Sequence, residues 1–213
     1  MKKVQYVFAS FAFILFLFIF TSVYQNGTVR GDGIFFSLFE NMMFLKPFSI
    51  IGTELVIATI SILLMLYLWF RKKDYIGILT VVVAVAGSNV INKLLKSTVE
   101  RERPPFSHGE DGFSFPSGHA MVGLVFLLLL VYFISKEVQS TKVKLIFYGG
   151  GGLLALFTGM SRVVEKAHYF SDVLAGFLLG YAYFTLCIVL YETSNKILKK
   201  KSTVRPVGRT KNV

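Results

Sequence analysis

The sequence predicts an all-α membrane protein: a bundle of six transmembrane helices with an interfacial amphipathic helix between spans one and two. Three observations predict it. Hydrophobic residues make up 54% of the 213-residue chain and its mean hydropathy is +0.62, too apolar for a soluble domain of this length. Six apolar runs approach or exceed the roughly 20 helical residues that a hydrocarbon core requires. A backbone crossing lipid must satisfy its polar groups within its own segment, so each run is read as a helix rather than a strand.

The first run, near Tyr6 to Tyr24, follows Met1, Lys2 and Lys3. It is longer than a signal-peptide core and lacks a small-x-small cleavage site, so it reads as a retained signal anchor. The other runs lie near Ile50 to Phe70, Tyr75 to Leu95, Gly118 to Ile134, Lys144 to Met160 and Ser171 to Tyr191. The fourth and fifth need their polar flanks to reach full length. Between the first two, Ile34, Phe35, Leu38, Met42 and Leu45 recur around Asp32 and Glu40 at the spacing of a helix lying in the interface. A loop held down by its phenylalanines is the alternative. Residues 1–195 read as one six-span domain and 196–213 as a basic cytoplasmic tail drawn to anionic lipid.

The net charge is +11, but the basic residues stand in short blocks beside apolar runs. They are not interleaved with aromatics as in a nucleic-acid groove, which excludes nucleic acid as the partner. Fifteen Lys and Arg fall in one set of flanks: Lys2, Lys3, Arg71, Lys72, Lys73, Lys136, Lys142, Lys144 and seven from Lys196 to Lys211. Seven fall in the other: Arg30, Lys46, Lys96, Arg101, Arg103, Arg162 and Lys166. The positive-inside rule then puts both termini in the cytoplasm of a cell that carries this chain in its plasma membrane. The connections after spans one, three and five face outward.

Cys187 is the only cysteine, so neither an intrachain disulfide nor a thiolate metal cluster can form. Glu54 lies one turn into the second span, and Asn89, Asn92, Lys93 and Lys96 share a face of the third. Intramembrane charges seek partners: Glu54 is expected to pair with Lys93 or to cap this polar stripe, or else to snorkel to the interface. Gly149 to Gly152 and the pair Gly176 and Gly180 suit close helix approach, within the bundle or across a homodimer.

Two of the outward connections carry groups suited to phosphate. Lys96 precedes the pair Arg103-Pro104 by seven positions, Pro116-Ser117-Gly118-His119 leads into the fourth span, and Ser161-Arg162 precedes His168 and Asp172 at the start of the sixth. Each alone has an ordinary use, as headgroup anchor, turn or helix start. Together they place three cations, two histidines and a carboxylate on one face. Guanidinium forks and an ammonium match the equatorial oxygens of a transferring phosphoryl group. Ser117 and Gly118 open a helix whose free N–H groups favour an anion. His168 and Asp172, four apart, share a face if the helix begins by His168; the carboxylate then holds one ring nitrogen and frees the other to attack phosphorus. His119 is placed to protonate the leaving oxygen and then to activate water.

These three segments resemble the signature motifs of the type 2 phosphatidic acid phosphatase family, the lipid phosphate phosphatases, over the region from the third span to the sixth. The resemblance implies a six-helix core and hydrolysis without metal or other cofactor. It implies attack by His168 supported by Asp172, acid catalysis by His119, and phosphate binding by Lys96, Arg103, Ser117, Gly118 and Arg162. The substrates it implies are membrane lipid phosphates: undecaprenyl diphosphate, phosphatidylglycerol phosphate or phosphatidic acid. The motifs are also similar to those of vanadium haloperoxidases, but six spans argue against that activity. Transfer of the phosphoryl group to another lipid, or non-catalytic transport of anionic lipid, are the other classes. Glu165 and Lys166 depart from the smaller residues usual before the histidine; they tune access or form a solvated pair.

Overall fold

The computed structural model describes residues 2–27, 29, 31–39, 41–106 and 109–204. Arg30, Glu40 and the tail from Arg205 onward lie outside the described residues. Among the described residues there are seven α-helices: α1 (Lys2–Asn26), α2 (Asp32–Phe39), α3 (Glu54–Tyr67), α4 (Tyr75–Val99), α5 (Gly118–Ser135), α6 (Thr141–Val164) and α7 (Phe170–Val204). A 3₁₀ segment, Met43–Gly52, leads into α3, and a π-turn, Leu68–Lys72, ends it. Among the described residues, six helices are long and apolar enough to cross a membrane: α1, α3 with its π-turn, and α4 to α7.

Helix α5 is the axle. Of its span 61% is buried, against 17% for α1, and it touches α3, α4, α6, α7 and the 3₁₀ segment. Its run of Val, Leu and Phe is apolar all round, the composition of a helix enclosed by others. The outer helices turn apolar side chains away from the protein, with Phe18 75% exposed and Leu55 78%, as lipid-facing surfaces do. At the end away from His168, the Tyr191 hydroxyl donates to Asp74 Oδ2 (2.5 Å), Asp74 caps α4 through Gly77 N–H (2.8 Å), and the Lys136 ammonium lies 4.6 Å from the Tyr191 ring. This clasp joins α4, α5 and α7.

The interfacial amphipathic helix expected over Asp32 to Leu45 takes a different form. The chain forms the short α2, then the 3₁₀ segment with Pro47 inside it. Proline has no N–H to donate and clashes with an α-helical turn before it, which favours a tighter turn here. The second span therefore begins at Glu54 rather than Ile50. The polarity of α2 is inverted as well: Asp32 is buried, while Ile34 and Leu38 are exposed. Helix α7 continues unbroken through residue 196 to Val204, past the point at which a separate tail was expected.

Glycines set the closest approaches. A Cβ on Gly176 would lie 2.8 Å from the Ser117 carbonyl oxygen, and one on Gly180 would lie 2.8 Å from the Met121 carbonyl oxygen. This pair thus serves packing of α7 on α5 within the bundle. Gly149, Gly150 and Gly152 instead face open space. A Cβ on Gly52 would meet the His119 ring at 2.5 Å and the Thr158 methyl at 2.8 Å, so the 3₁₀ segment lies directly against His119. We expect Gly176→Ala to cost about 1–3 kcal/mol through overpacking against rigid backbone and Gly150→Ala to be near neutral. Thermal melts of the two variants in one detergent check the contrast.

Candidate active site

The site forms where α4 ends, α5 begins, α6 ends and α7 begins. His168 precedes α7 and is 1% exposed. Its Nε2 lies 3.2 Å from Arg103 Nη1. A guanidinium only donates, so Nε2 carries the lone pair and Nδ1 the proton. Ser114 Oγ lies 3.3 Å from Nδ1 and donates to Asp172 Oδ2 at 2.5 Å, leaving its own lone pairs for the Nδ1 proton. The direct His168 Nδ1 to Asp172 Oδ2 distance is 3.7 Å, too long for a hydrogen bond. The expected direct contact is thus relayed by Ser114. The reason is local: α7 starts at Phe170, so His168 lies outside the helix and the i,i+4 geometry does not apply. Asp172 instead reaches back to the Tyr169 N–H (2.9 Å), one half of a capping box. Burial pushes the His168 imidazole down to about 4 from its ordinary 6.5, and the Arg103 charge adds to this against the opposing pull of Asp172.

Behind Asp172 is a residue that the motif reading missed. Arg101 sends Nη1 to Asp172 Oδ1 (2.5 Å) and to Ser171 Oγ (2.8 Å), Nη2 to Asp32 Oδ2 (2.6 Å), and Nε to the Gly27 carbonyl at the end of α1 (2.9 Å). Its guanidinium carbon is 4.1 Å from the centroid of the Tyr169 ring. Asp32 also accepts from the Ser171 N–H (3.0 Å), satisfying one of the orphan amides at the start of α7. The sequence held one signal, the acidic Asp32 among apolar residues; Arg101 itself counts as one more flanking cation.

The residues expected to hold phosphate converge in front of His168. Lys96, Gly118, His119, His168 and Glu110 line one cavity of about 620 Å³, which continues between α3, α4 and α5 past Ile57, Ile62, Met65 and Val85. Glu54 and Lys93 line it too, paired at 3.7 Å, as one of the expectations for Glu54 held. Asn92, also in the wall, donates to the Pro116 carbonyl (3.0 Å) and fixes the turn before α5. Ser117 is the N-cap of α5, yet its hydroxyl makes no capping bond and is buried without a partner. Its backbone N–H is occupied by the Asp172 carbonyl (3.1 Å), so of the two N–H groups expected to face an anion the Ser117 one is already engaged.

Arg162 is 5% exposed and bonds Glu165 on one side and Glu110 on the other, with Nε buried and unpartnered. Glu165 is thus a support of this guanidinium, while the Lys166 ammonium lies 4.7 Å from the Phe106 ring centroid. Arg103 is ringed by acceptors: the carbonyls of Ala167 (2.8 Å), Gly112 (3.0 Å) and Asp111 (3.3 Å) and Glu110 Oε2 (2.9 Å). No group of three or more His, Cys, Asp or Glu side chains among the described residues is arranged to hold a metal ion. All eight residues singled out by the sequence are therefore assembled at one end of the bundle, and Glu110, Ser114, Arg101 and Asp32 join them.

Residues 77–196 match the PAP2 superfamily. Phosphatidylglycerophosphatase B of Bacillus subtilis is 37% identical over 122 residues, covering 56% of this chain and 60% of that protein. Lipid A 1-phosphatase of Rhizobium etli is 30% identical over 128 residues, covering 54% of this chain and 50% of that protein. The chain thus spans half to three-fifths of the length of these relatives. The crystal structure of a transmembrane PAP2 type phosphatidylglycerolphosphate phosphatase from Bacillus subtilis superposes with a TM-score of 0.73 at 27% identity, over 87% of this chain and 96% of that one. The matched residues run from the first turn of α4 into α7 and include every motif that lines the cavity: the chain belongs to the PAP2 superfamily.

Proposed function

We propose that this protein is an integral membrane lipid phosphatase that hydrolyses a phosphomonoester or diphosphate headgroup through a phosphohistidine intermediate, without a metal ion. The observation that carries the reading is the orientation of His168. Its Nε2 lone pair faces the Arg103 guanidinium at the head of a cavity that runs on between apolar helices, while its Nδ1 proton is held from behind by Ser114. A phosphate seated on the arginines meets that lone pair, and an apolar tail fits between α3 and α4.

In the first step Nε2 forms a bond to phosphorus as the bond to the leaving oxygen breaks, and protonated His119 delivers its proton to that oxygen. Positive charge that develops on the imidazole is met by Ser114 and Asp172, and negative charge on the equatorial oxygens by Lys96, Arg103 and Arg162, the Ser117 hydroxyl and the Gly118 N–H. In the second step His119 takes a proton from water, whose oxygen attacks phosphorus and releases His168 and inorganic phosphate. Three lipid substrates fit this chemistry: undecaprenyl diphosphate, phosphatidylglycerol phosphate and phosphatidic acid. Similarity to a phosphatidylglycerophosphatase and to a lipid A 1-phosphatase supports that class. The excess of fifteen basic residues over seven between the two sets of flanks supports cytoplasmic termini and a site opening outward from the plasma membrane.

A panel of lipid phosphates assayed in detergent with EDTA tests the proposal. The wild type should release phosphate with the chelator present, His168→Ala should lose at least about 10³-fold and His119→Ala about 10²- to 10⁴-fold; turnover abolished by EDTA, or retained in His168→Ala, overturns it. The depressed His168 value puts the acid limb of kcat/KM near pH 4 rather than 6.5. The same depression means that the folded state binds fewer protons than the unfolded one, so stability from neutral His168 is present above pH 6.5 and drains away as pH falls toward about 4. A pH–rate profile and melts across that window check both statements. Asp32→Asn leaves Arg101 and Asp172 without their third charge; we expect about 3–5 kcal/mol lost in stability and a kcat about 10- to 100-fold lower, measured on the same preparation.

A further inference from the structure

The phosphate seat is already taken by a carboxylate of the chain itself. Glu110 Oε2 lies 2.9 Å from Arg103 Nη1, and Oε1 bonds Arg162 Nη2. The two oxygens thus bridge the two guanidiniums assigned to phosphate, in a cavity lined by both histidines. The segment that delivers Glu110 folds back onto the same arginine, since Arg103 donates to the Asp111 and Gly112 carbonyls. Gly109 and Gly112, with φ of +68° and +75°, bracket it in a backbone conformation that other residues adopt at a cost. Burial alone would raise the Glu110 carboxyl, but Arg162, His168 and Arg103 hold it below the ordinary carboxylate range, so it is an anion at neutral pH.

We propose that Glu110 is a specificity-determining residue: a resident carboxylate that a substrate phosphate must displace from Arg103 and Arg162, and that bars singly charged phosphodiester headgroups from the seat. This rests on the reading of the two arginines as the phosphate site. A site open to lipid is bathed in bilayer phosphodiesters, each with one negative charge, one oxygen lost to the second ester, and no electrostatic gain over Glu110 on exchange. The competition is also unequal because Glu110 is tethered in place and loses little freedom on binding. A phosphomonoester carries about −1.5 to −2 at neutral pH and leaves three oxygens for the two forks, so its attraction to the pair approaches twice that of the carboxylate. The exchange therefore favours monoester and terminal diphosphate groups over the bulk lipid.

The test uses the purified full-length protein in maltoside micelles, with short-chain phosphatidic acid as substrate and phosphatidylglycerol as the phosphodiester probe. For the wild type, the apparent KM should stay within about twofold as phosphatidylglycerol is added; for Glu110→Gln it should rise about fivefold or more in a competitive pattern. Glu110→Asp, which keeps the charge on a shorter arm, should fall between. Calorimetric binding of orthovanadate reads the seat without turnover, and Glu110→Gln should bind it about fivefold or more tighter than the wild type. Equal phosphatidylglycerol sensitivity in wild type and Glu110→Gln, or unchanged vanadate affinity, overturns the proposal. A wild type that releases no phosphate from any lipid overturns the phosphatase reading instead, and the vanadate measurement still reports on Glu110.

Discussion

A guanidinium held between two carboxylates, with all three side chains at most 7% exposed, is the interaction on which the active end of this bundle depends. Arg101 alone in so buried a place would be costly to desolvate. Asp32 and Asp172 offset that cost, and the remaining Arg101 donors reach Ser171 and the Gly27 carbonyl. The cluster ties the end of α1, the start of α2 and the start of α7 to one point. Asp172 is oriented by that point, Ser114 by Asp172, and the His168 ring by Ser114. The direction of one imidazole lone pair is therefore set by contacts that begin at the end of α1 and the start of α2.

The same bookkeeping of charge extends across the site. Lys96, Arg101, Arg103 and Arg162 face Asp32, Asp172, Glu110 and Glu165, four charges of each sign in contact or lining one cavity. A neutral assembly is what a low-dielectric bundle tolerates. Two of the carboxylates are locked behind His168, and Glu165 braces Arg162 from the side. Glu110 alone lies in the path of an incoming phosphate. Binding then exchanges one anion for another rather than adding charge to a buried place.

What was legible in the sequence divides along the same line. The six spans could be read because lipid imposes a local rule on each, about twenty apolar residues in a helix. The eight residues that the structure brings together could be singled out because phosphate chemistry restricts residue types and three short motifs carry them. The rest depends on pairs far apart in sequence. Asp32 meets Ser171 across 139 positions and Arg101 meets Asp172 across 71, and no local pattern announces either. Asp32 was read as the wet side of an interfacial helix because a charge among apolar residues usually faces water; a buried partner reverses that rule. The Ser114 relay escapes the i,i+4 argument because that argument holds only if the helix begins by His168, whereas α7 starts two residues later.

The part of the chain that matches the superfamily begins at residue 77, yet Gly27, Asp32 and Gly52 all lie before it. The carbonyl that accepts from Arg101, the carboxylate that caps α7 and the glycine against which His119 rests are thus supplied by a segment without the shared motifs. Helix α3, one wall of the cavity, lies there too. The three motifs are therefore not a portable module: without the first seventy-six residues they would lose the contacts that hold Arg101, the start of α7 and His119 in place. The wall that α3 gives the cavity is thus built by a part of the chain that the superfamily match does not include.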